Sequence, residues 1–196
     1  MSRRGKGAPN VAAGKARKLN RTVVLVGMMG AGKTAVGRAL AGRLGVPFLD
    51  SDVEIEKAAN MSISEIFQRD GESFFRDRES EVIDRLLDAD PAVLSVGGGA
   101  FLAPRNRETI TRKGLSVWLD APLDLLWSRV KGKNTRPLLR TAHPRETLRA
   151  LYEARVPLYA LADLRAEARH EYTIDDMARQ VEEALAGRGD ILGEAT

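Results

Sequence analysis

The chain of 196 residues contains no cysteine and only two histidines. The lack of cysteine excludes disulfide bonds, a thiol nucleophile, zinc–thiolate sites and iron–sulfur clusters, and two histidines argue against a metal site built from several imidazoles. No apolar run approaches the roughly 20 residues that span a bilayer, which excludes a membrane protein. Because no N-terminal apolar segment of the secretory type is present, we expect a cytoplasmic protein.

The net charge of +4 is distributed unevenly along the chain. Residues 1–20 carry six basic side chains and no acid, while the remainder holds 25 of the 31 basic and all 27 acidic side chains. Since the first segment has almost no large apolar residue, we expect residues 1–20 to form a disordered basic tail. This tail is either a solvated extension or a weak contact for nucleic acid or a membrane surface. A second flexible tail is expected over residues 188–196, which leaves one domain over residues 21–187.

Short apolar runs alternate with longer amphipathic segments from Arg21 onward, which is typical of an α/β protein with a parallel sheet. Five strands are predicted, over Thr22–Gly27, Pro47–Asp50, Val93–Val96, Leu115–Leu119 and Glu171–Ile174. Helices are predicted over Lys33–Leu44, Val53–Asn60, Ile63–Asp70, Ser73–Ala89, Ala103–Lys113, Pro122–Lys131, Pro144–Arg155, Pro157–Ala168 and Asp175–Ala186. These elements predict a doubly wound five-stranded parallel sheet flanked by helices.

The strongest motif is GMMGAGKT, which ends in Lys33 and Thr34 and fits the pattern G-x-x-x-x-G-K-[ST] between a strand and a helix. Its glycines allow successive backbone N–H groups to point at phosphate oxygens, and the following helix adds the positive end of its dipole. Lys33 is expected to reach the β- and γ-phosphates of a nucleotide, and Thr34 to bind Mg²⁺. A GTPase is excluded because no Asn-Lys-x-Asp tetrapeptide is present.

Two predicted strands end in acids that could serve this nucleotide site. Asp50 and Asp52 end the short strand PFLDSD, and Asp120 ends LSVWLD. We interpret Asp120 as the cap of the next helix, because Ala-Pro follows it. Asp50 and Asp52 lie where open α/β sheets bind ligands, so one could hold magnesium and the other accept a proton from a hydroxyl. The spacing does not decide which carboxylate does which.

Three further clusters have both a functional and a structural interpretation. Arg76 and Glu79 lie three residues apart on a helix and can pair, so Arg76 either presents its guanidinium to a carboxylate or forms an exposed ion pair. The glycine run 97–99 indicates either a close approach to a ligand or a loop. The basic stretch Lys131–Arg140 suits either a mobile lid that carries an arginine onto phosphates or a solvated linker. Arg155 precedes a proline, Pro157, that predicts a helix boundary.

The six motifs GMMGAGKT, LDSD, FFRDRE, GGGA, NTRPLL and RVPLY occur in an order that resembles the shikimate kinase family. The resemblance covers nearly all of residues 22–186 and implies a three-layer P-loop kinase fold with a mobile lid over about residues 131–144. It also implies ATP-dependent transfer of a phosphoryl group to the 3-hydroxyl of shikimate, giving shikimate 3-phosphate in aromatic amino-acid biosynthesis, with ATP and Mg²⁺ bound. We also expect a cytoplasmic monomer that acts on a small molecule, without nucleic acid or membrane as a partner.

The resemblance also implies a role for each matching residue. Catalysis is implied for Lys33, Asp52 and Arg136. ATP binding is implied for Gly30, Ala31, Gly32, Lys33, Thr34, Ala35 and Arg136, magnesium binding for Thr34 and Asp50, and shikimate binding for Asp52, Arg76, Gly98 and Arg155. Two alternatives stay open from the sequence: another small-molecule P-loop kinase, such as one acting on gluconate, or a nucleotide-binding module without catalysis.

Overall fold

A five-stranded parallel sheet forms the centre of the computed structural model, which describes residues 17–132 and 137–194. In chain order the seven strands of these residues are β1 (Arg17–Leu19), β2 (Thr22–Val26), β3 (Phe48–Asp50), β4 (Val93–Ser95), β5 (Gly114–Asp120), β6 (Leu164–Glu167) and β7 (Leu192–Glu194). The central sheet has the order β3-β4-β2-β5-β6, and β1 pairs with β7 in a separate antiparallel ribbon. Every side chain of β2 is buried, as expected for a central strand covered on both faces.

Helices flank this sheet, and the predicted α/β class with a five-stranded parallel sheet is confirmed. Their bounds are α1 (Lys33–Leu44), α2 (Ser51–Ala59), α3 (Ile63–Leu87), α4 (Pro104–Lys113), α5 (Leu123–Val130), α6 (Pro144–Tyr159) and α7 (Ile174–Ala186). Short 3₁₀ turns occupy Ala100–Leu102 and Pro137–Leu139. Helix α3 breaks at Gly71, which has a φ of 83°, so the two helices predicted on either side of this glycine are confirmed. In the described part of the chain, no helix is both long and apolar enough to cross a membrane.

The predicted fifth strand and the helix predicted before it are wrong. The fifth strand of the sheet is β6, over Leu164–Glu167, whereas Glu171–Ile174 forms a turn and the start of α7. Only Ala166 in β6 is fully buried, so this edge strand lacks the apolar run by which the other strands were recognised. Helix α6 continues through Pro157 to Tyr159, because a proline in the last turn removes only one backbone hydrogen bond.

Asp120 does not cap the next helix, contrary to our interpretation of the sequence. Pro122 is the N-cap residue of α5. The carboxylate of Asp120 instead accepts hydrogen bonds from the guanidinium of Arg165 on β6, at 2.7 Å from Nε. Arg165 also lies over the ring of Trp118, so the pair fastens the edge strand β6 to β5.

The two ends of the domain differ from the predicted tails. Arg17–Leu19 pairs with Leu192–Glu194, and Asn20 donates a backbone hydrogen bond to Ile191 at 2.8 Å. Leu19 and Ile191 are buried and belong to the hydrophobic core, which holds the ribbon against the domain. The paired strands at residues 17–19 and 192–194 therefore lie within the predicted tails. Residues 1–16 lie outside the described residues, and the division into two tails and one domain stays a prediction.

Candidate active site

The glycine-rich loop between β2 and α1 forms an uncapped helix start. Gly30 and Gly32 have φ values of 85° and 97°, which favour glycine, and a Cβ at Gly30 would lie 2.8 Å from Val130 Cγ1. No side chain caps α1, whose first N–H groups therefore remain available to an anion. The ammonium group of Lys33 donates to the carbonyl oxygens of Gly27 and Met28 at 2.8 and 3.2 Å. The loop can thus bind phosphate through backbone amides and one lysine.

Thr34 and Asp50 lie side by side at the start of α1 and the end of β3. The Thr34 hydroxyl donates to Asp50 Oδ2 at 3.1 Å, and Asp50 Oδ1 accepts the backbone N–H of Asp52 at 3.1 Å, which caps α2. No three His, Cys, Asp or Glu side chains of the described residues form a metal site of their own. A hydroxyl and a carboxylate nevertheless fit Mg²⁺, which takes hard oxygen ligands and usually completes its shell with water and phosphate.

Asp52 occupies the first turn of α2 and faces the glycine run that follows β4. A Cβ at Gly97 would lie 2.9 Å from Asp52 Oδ1, so only a glycine leaves room for this carboxylate. Burial raises the pKa of Asp52, and the charge of Asp50 raises it further, while Lys33 and Arg76 act in the opposite sense. Asp52 is therefore a buried carboxyl group with a raised pKa, which suits a proton-accepting group.

Arg76 pairs with two acidic residues of its own helix. For one of them, Glu79, the spacing in the sequence had indicated that the pair can form. Arg76 Nη1 donates to Glu79 Oε2 at 2.8 Å, and Nη2 donates to Glu72 Oε1 at 3.2 Å. Glu79 is only 1% exposed, and burial raises the pKa of its carboxyl group although Arg76 lowers it. A Cβ at Gly99 would lie 2.6 Å from Arg76 Nη1, so the guanidinium rests against the glycine run.

Arg155 approaches the same glycine run from α6. Its Nη1 atom lies 3.9 Å from the position of a Cβ at Gly98, and the Tyr159 hydroxyl donates to the Gly98 carbonyl oxygen at 2.5 Å. Burial raises the pKa of the Tyr159 phenol, while the charge of Arg155 lowers it. Arg76 and Arg155 thus lie beside consecutive glycines, on the same side of the domain as Asp52.

A cavity of about 520 Å³ joins the glycine loop to the acids and to the start of the glycine run. Of the predicted site residues it is lined by Gly30, Ala31, Gly32, Lys33, Thr34, Ala35, Asp50, Asp52 and Gly98. Arg76 and Arg155 lie next to its glycine wall rather than among its lining residues. These predicted site residues therefore lie close together: most of them line one cleft, and Arg76 and Arg155 lie beside it.

Several lining residues were missed by the sequence analysis. Arg129 on α5 donates weakly to the Gly30 carbonyl at 3.3 Å, and burial lowers the pKa of its guanidinium. Tyr172, Thr173, Ile174 and Met177 line the far end of the cavity. None of them belongs to a recognisable motif, and residues 171–174 were predicted as a strand of the sheet rather than as a loop that lines the cavity. The weak signal that could have found them is the capping box of Thr173 and Asp176 before an amphipathic helix.

The predicted lid is described only in part. Arg136 belongs to residues 133–136, which lie outside the described residues, so its placement stays a prediction. The remainder of the predicted segment 131–144 holds a 3₁₀ turn over Pro137–Leu139 and the first residue of α6, Pro144.

Comparisons with known proteins agree on one family. A family model described as "Shikimate kinase" matches residues 29–186. The shikimate kinase of Ruegeria pomeroyi is 68% identical over 179 residues, which cover 91% of this chain and 92% of that protein. That of Cereibacter sphaeroides is 65% identical over 175 residues, covering 89% and 87% of the two chains. The structure of shikimate kinase from Acinetobacter baumannii in complex with shikimate superposes with a TM-score of 0.80 at 39% identity, covering 85% of this chain and 93% of that one.

Proposed function

Since the chain belongs to the shikimate kinase family, we propose how its own residues divide the work of the reaction. The enzyme transfers the γ-phosphoryl group of ATP to the 3-hydroxyl of shikimate, giving shikimate 3-phosphate, and the alternative of a gluconate kinase is set aside by this membership. The observation that carries the proposal is the buried position of Asp52, whose carboxylate faces Gly97 and lies within electrostatic reach of both Lys33 and Arg76.

The nucleotide occupies the glycine loop in this proposal. Backbone N–H groups of residues 30–35 bind the phosphates, and Lys33 leaves the carbonyls of Gly27 and Met28 to reach the transferred group. Thr34 and Asp50 hold Mg²⁺, since the hydroxyl and the carboxylate already lie 3.1 Å apart. When bound, Mg²⁺ neutralises part of the negative charge on the phosphates. Arg136, carried over from the family pattern, adds a cation to the same phosphates.

Shikimate recognition rests on the two guanidinium groups beside the glycine run. The carboxylate of shikimate binds Arg76 and Arg155 through charge-assisted hydrogen bonds, each contributing about 1.5–3 kcal/mol. The buried Glu79 orients Arg76, so that less side-chain entropy is lost on binding. The backbone of Gly98 approaches the ring of the substrate closely, because no side chain intervenes there.

Asp52 is proposed to bind the shikimate hydroxyls and to accept the proton of the 3-hydroxyl as the oxygen attacks phosphorus. A carboxylate with a raised pKa is a stronger base than an ordinary aspartate, which favours this transfer. Lys33 stabilises the charge that develops on the phosphoryl oxygens during the same step. The proton therefore goes to Asp52 while ADP departs with the former bridging oxygen.

A substrate comparison tests this assignment. ADP release is measured with shikimate, with its methyl ester and with gluconate at equal concentrations. Shikimate should turn over, the ester should show a KM raised roughly tenfold to a hundredfold because the arginines lose a charged partner, and gluconate should be inactive. Arg155→Gln should reduce the preference for the acid over the ester, because only Arg76 then remains to bind the carboxylate. Equal KM values for acid and ester would contradict the role of the arginines, and preferential turnover of gluconate would contradict the activity itself.

We further propose that the enzyme acts as a cytoplasmic monomer, where ATP is available, and that residues 1–16 take no part in catalysis. A chain that begins at Arg17 keeps the β1–β7 ribbon intact and should retain the kcat of the full chain. A large loss of kcat in this shortened chain would assign the basic segment a catalytic role.

A further inference from the structure

A second cavity, of about 450 Å³, lies between α2 and α3, and we name it the α2–α3 cavity. Its floor is apolar and consists of Ile55, Ala58, Ala59, Met61, Ile66, Phe74 and Val82. Ile55, Ile66 and Val82 are buried, while Phe74 is 40% exposed and has the guanidinium of Arg78 over its ring, 5.2 Å from the ring centre. None of the described residues proposed above to bind ATP or shikimate lines it. The volume is within the range of small-molecule sites, roughly 300–1,000 Å³.

The rim of this cavity is basic. It carries the three arginines Arg69, Arg78 and Arg85 and one acid, Glu81. Arg69 pairs with the adjacent Asp70 at 2.7 Å, and Arg78 pairs with Glu81 at 2.8 Å. Within the described residues, the guanidinium of Arg85 has neither a hydrogen bond nor an ion pair. Arg85 can therefore take an anionic group without breaking an existing pair.

We propose that the α2–α3 cavity is a second ligand site that binds an arylalkanoate, a carboxylate joined to an aromatic ring by a short alkyl chain. The aromatic ring lies on the apolar floor against Phe74, and the carboxylate binds Arg85. Shikimate does not suit this cavity, because its three hydroxyl groups would face apolar side chains without hydrogen-bond partners. The basic segment of residues 1–16 does not suit it either, since its charge has the same sign as the rim.

This site shares both of its helices with the shikimate half of the active site. Ile55 follows Asp52 by one turn on α2, and Val82 follows Glu79 by one turn on α3. A ring inserted between these helices would shift α2 relative to α3, and these two helices carry Asp52 and Arg76. The expected consequence, which rests on the function proposed above, is a changed KM for shikimate. The KM for ATP should hardly change, because the glycine loop belongs to β2 and α1.

Binding is tested by calorimetry on the full chain with 3-phenylpropanoate and with its neutral isostere 3-phenylpropanamide. The acid should bind and the amide should bind about tenfold more weakly, as expected for the loss of one charge-assisted hydrogen bond. Arg85→Gln should weaken binding of the acid by a similar factor. Arg105→Gln is the matched control, because Arg105 is also exposed but lies on α4 and outside the cavity, and it should leave binding unchanged.

Four results overturn the proposal: no binding of the acid at millimolar concentration, equal binding of acid and amide, unchanged binding in Arg85→Gln, or strictly competitive displacement of the acid by shikimate. A limited change in the affinity for the acid that levels off at saturating shikimate is instead the reciprocal of the expected coupling. The coupling is tested separately by steady-state kinetics with and without 3-phenylpropanoate. A changed KM for shikimate with a constant KM for ATP supports it, and constant values of both overturn it. If the enzyme without 3-phenylpropanoate does not phosphorylate shikimate, the proposed function is contradicted, but the calorimetric test of the second ligand site remains valid.

Discussion

The hydroxyl of Tyr159 donates a 2.5 Å hydrogen bond to the carbonyl oxygen of Gly98, across 61 residues of sequence. Tyr159 is fully buried at the end of α6, and Gly98 follows β4, the strand paired with β3. The bond therefore ties the glycine run to the helix that carries Arg155. We interpret Tyr159 as a positioning residue that fixes the distance between Gly98 and Arg155.

Tyr159→Phe should raise the KM for shikimate more than it lowers kcat, and should leave the KM for ATP nearly unchanged. The phenyl ring keeps the packing, but the Gly98 carbonyl loses its partner, which costs about 1–3 kcal/mol of unfolding free energy. Steady-state kinetics and urea unfolding measure the two effects. Tyr152→Phe on the same helix is the control, because none of the described residues hydrogen-bonds its hydroxyl. Equal effects in both variants would contradict the positioning role.

Asp52→Asn should lower kcat by about a hundredfold to ten-thousandfold, the usual range for losing a general base. In the native enzyme, kcat/KM should fall as the pH falls through the pKa of Asp52. Because burial raises that pKa, this loss should occur above the pH at which an ordinary aspartate titrates. Steady-state assays over a series of pH values measure this dependence of kcat/KM on pH. A profile that stays flat until the ordinary aspartate range would show that Asp52 is not the titrating base.

The same substitution should stabilise the fold at neutral pH. A carboxyl group whose pKa is raised on folding contributes stability below its unfolded pKa and loses it as the pH rises through the folded value. Asparagine avoids this loss, so Asp52→Asn should have the higher Tm at neutral pH, and the difference should vanish in acid. Thermal unfolding at several pH values measures it. Asp77→Asn, at an exposed position on α3, is the control and should show no such trend.

Gly99→Ala should impair shikimate binding without unfolding the protein. The added Cβ would lie 2.6 and 2.7 Å from the two terminal nitrogens of Arg76, and the flexible guanidinium must move away. Since the φ of Gly99 is −88°, alanine fits the backbone there. The KM for shikimate should rise while Tm stays near its native value. Gly42→Ala on α1, where nothing lies within 4 Å of the new Cβ, is the matched control. An unchanged KM in Gly99→Ala would separate Arg76 from the substrate.

The sequence allowed the central sheet and the nucleotide loop to be predicted because their signals are local. The buried strand before GMMGAGKT and the helix after it are both contiguous patterns, and Lys33–Leu44 was bounded correctly. Strand β6 was missed because its identity depends on pairing: Leu164–Glu167 has one buried side chain and is held by a contact from Arg165 to Asp120 on a distant strand. Local periodicity carries no information on such a contact.

In the candidate site, too, local features were predictable and contacts between distant segments were not. The pairing of Arg76 with Glu79 was predictable, since both residues lie on one helix face. The reason for three successive glycines was not predictable. Gly97 makes room for Asp52 and Gly99 makes room for Arg76, and both side chains come from other elements. The role of Tyr159 was likewise hidden, because the carbonyl it binds lies far away along the chain.

Glu79→Gln provides the sharpest test of how Arg76 is oriented. The amide keeps the shape of the buried side chain but removes the charge that Arg76 Nη1 contacts at 2.8 Å, so Arg76 should sample other rotamers. We expect the KM for shikimate to rise roughly tenfold. The Tm at neutral pH should not fall, because burial raises the pKa of Glu79 and a neutral group is therefore favoured at this position. Glu72→Gln removes the other partner of Arg76, which is 69% exposed, and should change the KM little, since solvent screens that pair. A lower Tm with an unchanged KM in Glu79→Gln would make Glu79 a structural residue and leave Arg76 to be oriented by other contacts.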